Sequence, residues 1–120
     1  MEFLKMFSHW KEVEEHDAKT VIFTEGASAD ALYVITSGEV ELSLRGASLG
    51  TEGVGGIIGE MALINSNIRS ATLTAKTDCR LALIDQASFD SLLRHVPDFS
   101  LHVMKVLATR LKHAYEVIGH

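Results

Sequence analysis

Two periods alternate along the chain. Phe3, Met6, Phe7 and Trp10 recur at spacings of three and four, which predicts one apolar stripe on an N-terminal helix over residues 1–16. From Thr20 the period shortens. Val21-Ile22-Phe23, Leu32-Tyr33-Val34-Ile35, and Val40, Leu42 and Leu44 alternating with Glu39, Glu41 and Ser43 predict strands. Glu25-Gly26, Ser37-Gly38 and Arg45-Gly46 punctuate them closely enough for tight antiparallel turns, and no helix fits between them to make a parallel sheet. Leu49 to Ile64 is Gly-rich and turns helical in composition from Glu60. Two more strands are predicted after the polar Asn65-Ser66-Asn67: Arg69 to Ala75 and Cys79 to Ile84. Asp85 is placed to cap a helix carrying Phe89, Leu92, Leu93 and Val96. Pro97 then restarts the chain into a longer helix, with Phe99, Val103, Val106, Leu107, Leu111, Ala114 and Ile118 on its apolar stripe. The expected architecture is one mainly β domain: an antiparallel, jelly-roll-like β-roll over residues 20–84 with an N-terminal helix and C-terminal helices over 86–118. A terminal helix this long covers the roll, pairs with a second copy of itself, or does both along different parts.

Composition removes several functions. The 120 residues carry 11 Lys+Arg against 16 Asp+Glu, a formal charge of −5, so the basic footprint of a direct nucleic-acid binder is missing. No apolar run is long enough to span a membrane, no secretory leader is legible, and the lone Cys79 makes no internal disulfide, which together favour the cytoplasm. The acidic Glu12, Glu14 and Glu15 are expected to be a solvated surface. Gly53, Gly55 and Ile58 break a dinucleotide fingerprint, and no Gly-Lys-Ser/Thr follows for a triphosphate loop. A metal-dependent barrel enzyme needs His on its strands, yet all six His are expected in the helical ends, so no metal is expected. No Gly-x-Ser-x-Gly is present and Cys79 falls in a strand pattern, so no catalytic set emerges and the chain is read as not an enzyme.

What remains is Gly59-Glu60-Met61-Ala62-Leu63, a five-residue loop, and Arg69-Ser70-Ala71. A glycine before a short helix leaves the first-turn N–H groups near Glu60 to Ala62 pointing outward as an anion site. Arg69 returns at the next strand with a planar fork of donors suited to phosphate. A carboxylate beside an anion makes sense if the ligand also presents a hydroxyl for Glu60 to accept, as a ribose does. The bland alternative is a structural ion pair between Glu60 and Arg69.

With GGIIGEMALI joined to RSATLTA, and LYVITSGEVEL after the Gly26 turn, residues 20–118 resemble the cyclic nucleotide-binding domain of CRP/FNR regulators, protein kinase A regulatory subunits and gated channels. The resemblance implies a β-roll whose cassette Glu, here Glu60, binds the ribose 2′-OH and whose cassette Arg, here Arg69, binds the cyclic phosphate. Backbone donors would come from Gly59, Ala62 and Ser70, with the Ser70 hydroxyl a further donor. Met61 and Ala71 complete the ligand-binding stretch, and Leu49, Val54 or Met61 would touch the base. It also implies a helix that caps the base, which places His113, Ala114 and Tyr115 over the pocket. Ile58, Gly56 and Ile68 depart from the commonest pattern, where Phe, an acid and Pro often stand; none removes a ligand group. The expected function is a regulatory module that binds a cyclic purine nucleotide, cAMP before cGMP, and relays occupancy through its C-terminal helix to an effector protein or across a homodimer. The alternatives are a degenerate domain of the same fold acting in protein interaction or dimerisation, and the cupin-like enzyme already disfavoured.

Overall fold

The structure, a computed structural model, describes residues 2–60, 63 and 67–117. Helix α1 (Glu2–Lys5) is followed by eight strands: β1 (Val13–His16), β2 (Val21–Phe23), β3 (Ala31–Ser37), β4 (Val40–Leu44), β5 (Ala47–Glu52), β6 (Ile57–Ile58), β7 (Thr72–Ala75) and β8 (Cys79–Asp85). Helices α2 (Gln86–His95) and α3 (Pro97–Val117) close the chain. The strands form two four-stranded antiparallel sheets, β1-β8-β3-β6 and β2-β7-β4-β5. This is the expected β-roll with flanking helices.

Strands β3 and β8 are apolar on both faces because each face has its own cover. Leu32, Val34, Ala82 and Ile84 pack under the helices with Phe7, Phe89, Phe99 and Val103. Tyr33, Ile35, Leu81 and Cys79 point into the roll with Val40, Ile58 and Leu73. The helical cover is knit by aromatic rings: Phe99 lies 6.4 Å from Phe7 and 6.0 Å from Phe89, centroid to centroid. Asp85 caps α2 as expected, its Oδ1 accepting the Ser88 N–H at 2.8 Å. Pro97 occupies the first position of α3, where its missing N–H costs nothing.

Three local expectations change. The helix placed over residues 1–16 ends at Lys5. The chain continues in turns closed by bonds from Phe7 to Leu4, Ser8 to Lys5 and Trp10 to Phe7, then becomes strand β1. Phe7 and Trp10 still touch, at 5.0 Å, and the Trp10 indole N–H donates to the Leu83 carbonyl at 2.8 Å. Residues 13–16 give up helix because β8 offers a complete antiparallel ladder, Val13 opposite Ala82 through His16 opposite Cys79. Glu14 therefore turns half-inward instead of joining a solvated face, and His16 sits on a strand.

The Gly-rich stretch contains two strands, β5 and β6. Arg45 and Gly46, at φ 51° and 85°, form the tight turn that folds β5 onto β4. The strand expected from Arg69 begins only at Thr72. Arg69 instead exchanges backbone bonds with the β2–β3 loop: its N–H donates to the Ala27 carbonyl and its carbonyl accepts the Gly26 N–H. That exchange holds Arg69 at the lip of the roll.

Candidate functional site

A cavity of about 180 Å³ opens where the Gly59 turn, the Arg69 segment, the second sheet and α3 meet. Its apolar wall is Phe23, Leu42, Leu49, Ile58 and Ile68. Its polar groups come from Gly59, Glu60, Arg69, Ser70 and Arg110, with Ala71 between. The sequence-predicted Gly59, Glu60, Arg69, Ser70 and Ala71 are thus brought together. Met61 and Ala62 lie outside the described residues, as does Ile118 of the terminal stripe. Leu49 reaches the cavity; Val54 does not line it.

Among the described residues, Glu60 and Arg69 are the two charged side chains of the buried set, each 7% exposed. They do not pair with each other. Arg69 Nη1 donates to the Gly59 carbonyl at a long 3.4 Å, and the guanidinium carbon lies 4.2 Å above the Phe23 ring and 5.5 Å from the Tyr33 ring. No carboxylate stands within ion-pair distance of Arg69 among the described residues. Burial lowers the Arg69 pKa from its ordinary value, while Tyr33 and Asp30 pull it back up. A buried cation backed by aromatic faces and given no carboxylate is chemically suited to an anion.

Gly59 makes the approach feasible. Its φ is +84°, and a Cβ there would fall 2.3 Å from Arg69 Nη1. The turn is closed by the Leu63 N–H on the Glu60 carbonyl at 3.0 Å.

The Glu60 carboxylate has a partner that sequence reasoning missed. Arg110, the single arginine of α3, donates through Nη1 to Glu60 Oε1 and through Nη2 to the Ile57 carbonyl, and its Nη2 lies 3.3 Å from Glu52 Oε1. One turn further on, His113, Ala114 and Tyr115 are exposed and do not line the cavity. The apolar stripe hid the link, because Arg110 lies between Leu107 and Leu111 and contacts a segment fifty residues upstream. The only legible signal was an arginine within one turn of the stretch expected to cap the pocket. A second clasp lies two turns back, where His102 Nε2 is 2.7 Å from the Gly55 carbonyl.

No group of three or more His, Cys, Asp or Glu among the described residues is arranged to hold a metal ion, and no described helix is long and apolar enough to cross a membrane. Cys79 is a buried free thiol whose pKa is raised, first by burial and then by Asp78.

Residues 13–96 match the protein family described as cyclic nucleotide-binding domain. The cAMP-dependent protein kinase regulatory subunit of Yarrowia lipolytica is 41% identical over 81 residues, 66% of this chain and 22% of that one. Lysophospholipase nte1 of Aspergillus terreus is 30% identical over 105 residues, 83% of this chain and 7% of that one. The chain thus spans under a quarter of the length of these relatives. Among solved structures, the catabolite activator protein of Thermus thermophilus superposes with a TM-score of 0.78 at 28% identity, covering 98% of this chain and 57% of that chain.

Proposed function

The chain belongs to the cyclic nucleotide-binding domain family, and from that premise we propose that it is a regulatory module that takes a cyclic purine nucleotide, cAMP in preference to cGMP, into the cavity between Glu60 and Arg69. One observation carries the reading: a buried Arg69 with no carboxylate partner among the described residues shares a cavity with a buried carboxylate. In this reading Arg69 takes the phosphate, Glu60 accepts the ribose hydroxyl, and Ser70 with the backbone of Gly59 and Ala62 completes the phosphate's donors. The base lies toward Leu49 and Met61. The preference for cAMP is supported by the 41% identity to a regulatory subunit named for cAMP, against 32% and 34% for two kinases named for cGMP. The module performs no catalysis, uses no metal and acts in the cytoplasm on an effector protein.

Relay follows from Arg110. A ribose hydroxyl on Glu60 competes with the Arg110 guanidinium for the same carboxylate, so occupied and empty sites favour different positions of α3. His113, Ala114 and Tyr115 would then reach the base only after α3 has moved. Outward on the same helix, Leu101, Met104, Ala108, Leu111 and Tyr115 recur at alternating spacings of three and four and are exposed. That seam suits a second copy of the chain. Sedimentation at the mass of a single chain would remove the homodimer.

The experiment is a thermal and calorimetric titration with cAMP, cGMP, 2′-deoxy-cAMP and 5′-AMP. Near one hundred times the dissociation constant, cAMP is expected to stabilise the fold by ~2.7 kcal/mol, with cGMP weaker and 5′-AMP without effect. Glu60→Ala is expected to weaken cAMP binding about tenfold while leaving 2′-deoxy-cAMP nearly unchanged. Equal losses on the two sugars would take the ribose role away from Glu60.

A second reading has its own observation. The 180 Å³ cavity is smaller than the ~300 Å³ at which ligand pockets ordinarily begin, and Arg110 already occupies Glu60. A folded, ligand-free protein that responds to none of the nucleotides would make this a degenerate domain, with α3 as the working surface.

A further inference from the structure

Behind the cavity, a row of polar groups crosses the first sheet from its edge to Arg69. Tyr33 of β3 is 7% exposed, and its ring stacks on Phe23 at 6.0 Å and 17° between planes. The two rings form the surface against which the Arg69 guanidinium lies. The Tyr33 hydroxyl donates to Glu14 Oε2 at 3.4 Å, and Glu14 Oε1 is 2.9 Å from His16 Nε2. Glu14 and His16 stand two apart on β1, so they share one face of the edge strand. Val13–His16 pairs residue for residue with β8, which fixes where both side chains stand.

The direction of the hydrogen bonds matters. With its proton given to Glu14, the Tyr33 hydroxyl fixes the ring whose centroid lies 5.5 Å from the Arg69 guanidinium carbon, and His16 holds Glu14 from the far side. Burial raises the Tyr33 pKa, and Glu14 raises it further, so the hydroxyl keeps the proton that this arrangement requires. A phenylalanine at position 33 would fill the same space and lose the bond to Glu14 that fixes the ring beside Arg69.

We propose that Tyr33 is a positioning residue for Arg69, held by Glu14 and His16 of β1, so that the edge strand sets how well the site holds an anion. The anion part rests on the reading of the cavity as a cyclic nucleotide site; the positioning of Arg69 does not. Tyr33 touches no reacting or ligand atom in this scheme. It acts through the orientation of the guanidinium.

The test uses Tyr33→Phe and Glu14→Gln in two measurements. Calorimetry compares cAMP with adenosine, which lacks the phosphate. Tyr33→Phe is expected to weaken cAMP binding about fivefold to tenfold and leave adenosine binding as in the parent protein, with Glu14→Gln following in the same direction. Equal losses on both ligands, or no loss on cAMP, overturn the proposal. The second measurement needs no ligand. The Arg69 Nε–Hε resonance, assigned by its disappearance in Arg69→Lys, is expected to exchange slowly with water in the parent protein and to broaden in both variants. An unchanged resonance in Tyr33→Phe overturns the positioning role even where nucleotide binds. A parent protein that binds no cyclic nucleotide but shows the broadening would sink the ligand reading alone.

Discussion

Arg69→Ala is expected to cost ~2 to 4 kcal/mol of cAMP binding, a loss of about thirtyfold to about seven-hundredfold. The size follows from where the side chain sits. Arg69 is 7% exposed and its charge is answered by aromatic faces and one long bond to the Gly59 carbonyl, so an incoming phosphate meets a cation that water has largely left. The fold should survive, because truncation leaves no orphaned carboxylate: Glu60 keeps Arg110. Circular dichroism and a melting curve within a few degrees of the parent would show this, and competition titration would read the affinity. A variant that binds cAMP as tightly as the parent would move the phosphate elsewhere. Gly59→Ala approaches the same result by another route, since its Cβ would fall 2.3 Å from Arg69 Nη1 and push it out of line. At φ +84° it also strains the backbone, so its loss of binding is expected to come with a loss of stability.

Gly38→Ala is expected to be the most damaging single methyl in the chain. Gly38 turns β3 into β4 at φ +84°, and a Cβ there would sit 2.2 Å from the Asp78 carbonyl oxygen and 2.7 Å from Cys79 Cβ. The obstacles are the end of the β7–β8 turn and the first residue of β8, and that turn is tied to the same corner by the Lys76 N–H on the Glu39 carbonyl at 2.9 Å and the Glu39 N–H on Thr77 Oγ1 at 3.0 Å. Neither turn yields without parting from the other. Left-handed strain of ~1 to 3 kcal/mol adds to the clash, so a total above ~3 kcal/mol is expected out of the ~5 to 15 kcal/mol typical of a folded domain. Thermal unfolding should fall by at least about 10 °C, or the protein should fail to fold. A midpoint within about 3 °C of the parent would mean that the corner opens more easily than its bonds imply.

The roll was legible in the sequence wherever burial imposes a period. Leu32 to Ile35 and Val40 to Leu44 are apolar at every position that faces cover, and tight turns separate them. Strand β5 escaped because Ala47–Glu52 has no regular apolar alternation and is mostly exposed at the outer edge of its sheet, where its pairing is with β4 alone. Strand β1 escaped for a related reason. A short Glu-rich stretch beside a helical stripe carries a helix-like composition, and its strand state comes from β8, more than sixty residues away.

The cassette residues could be found because they are nearly contiguous in the chain. Arg110, Phe23, Tyr33 and Glu14 could not, because each enters the site through contacts between distant segments, and their residue types alone fit a solvated helix, a core strand and an acidic surface. The bland alternative of a Glu60–Arg69 ion pair fails on the same ground: the partner of Glu60 comes from a helix fifty residues downstream.

The way α3 is held has a mechanical consequence. Val103 is its last buried residue, and Leu111, Tyr115 and Val117 are 53%, 49% and 72% exposed. Past that pivot the helix leans on the half-buried Val106 and on Arg110. At 1.5 Å per residue, residues 104–117 make an arm about 20 Å long. Losing one guanidinium contact near its middle and tilting the arm by about 15° would sweep its tip through about 5 Å, roughly one helical turn. In the relay proposed above, a displacement of that size would reset which side chains a neighbouring surface meets, so an exchange of hydrogen bonds at one carboxylate would be geared up into a stroke at the far end of the helix.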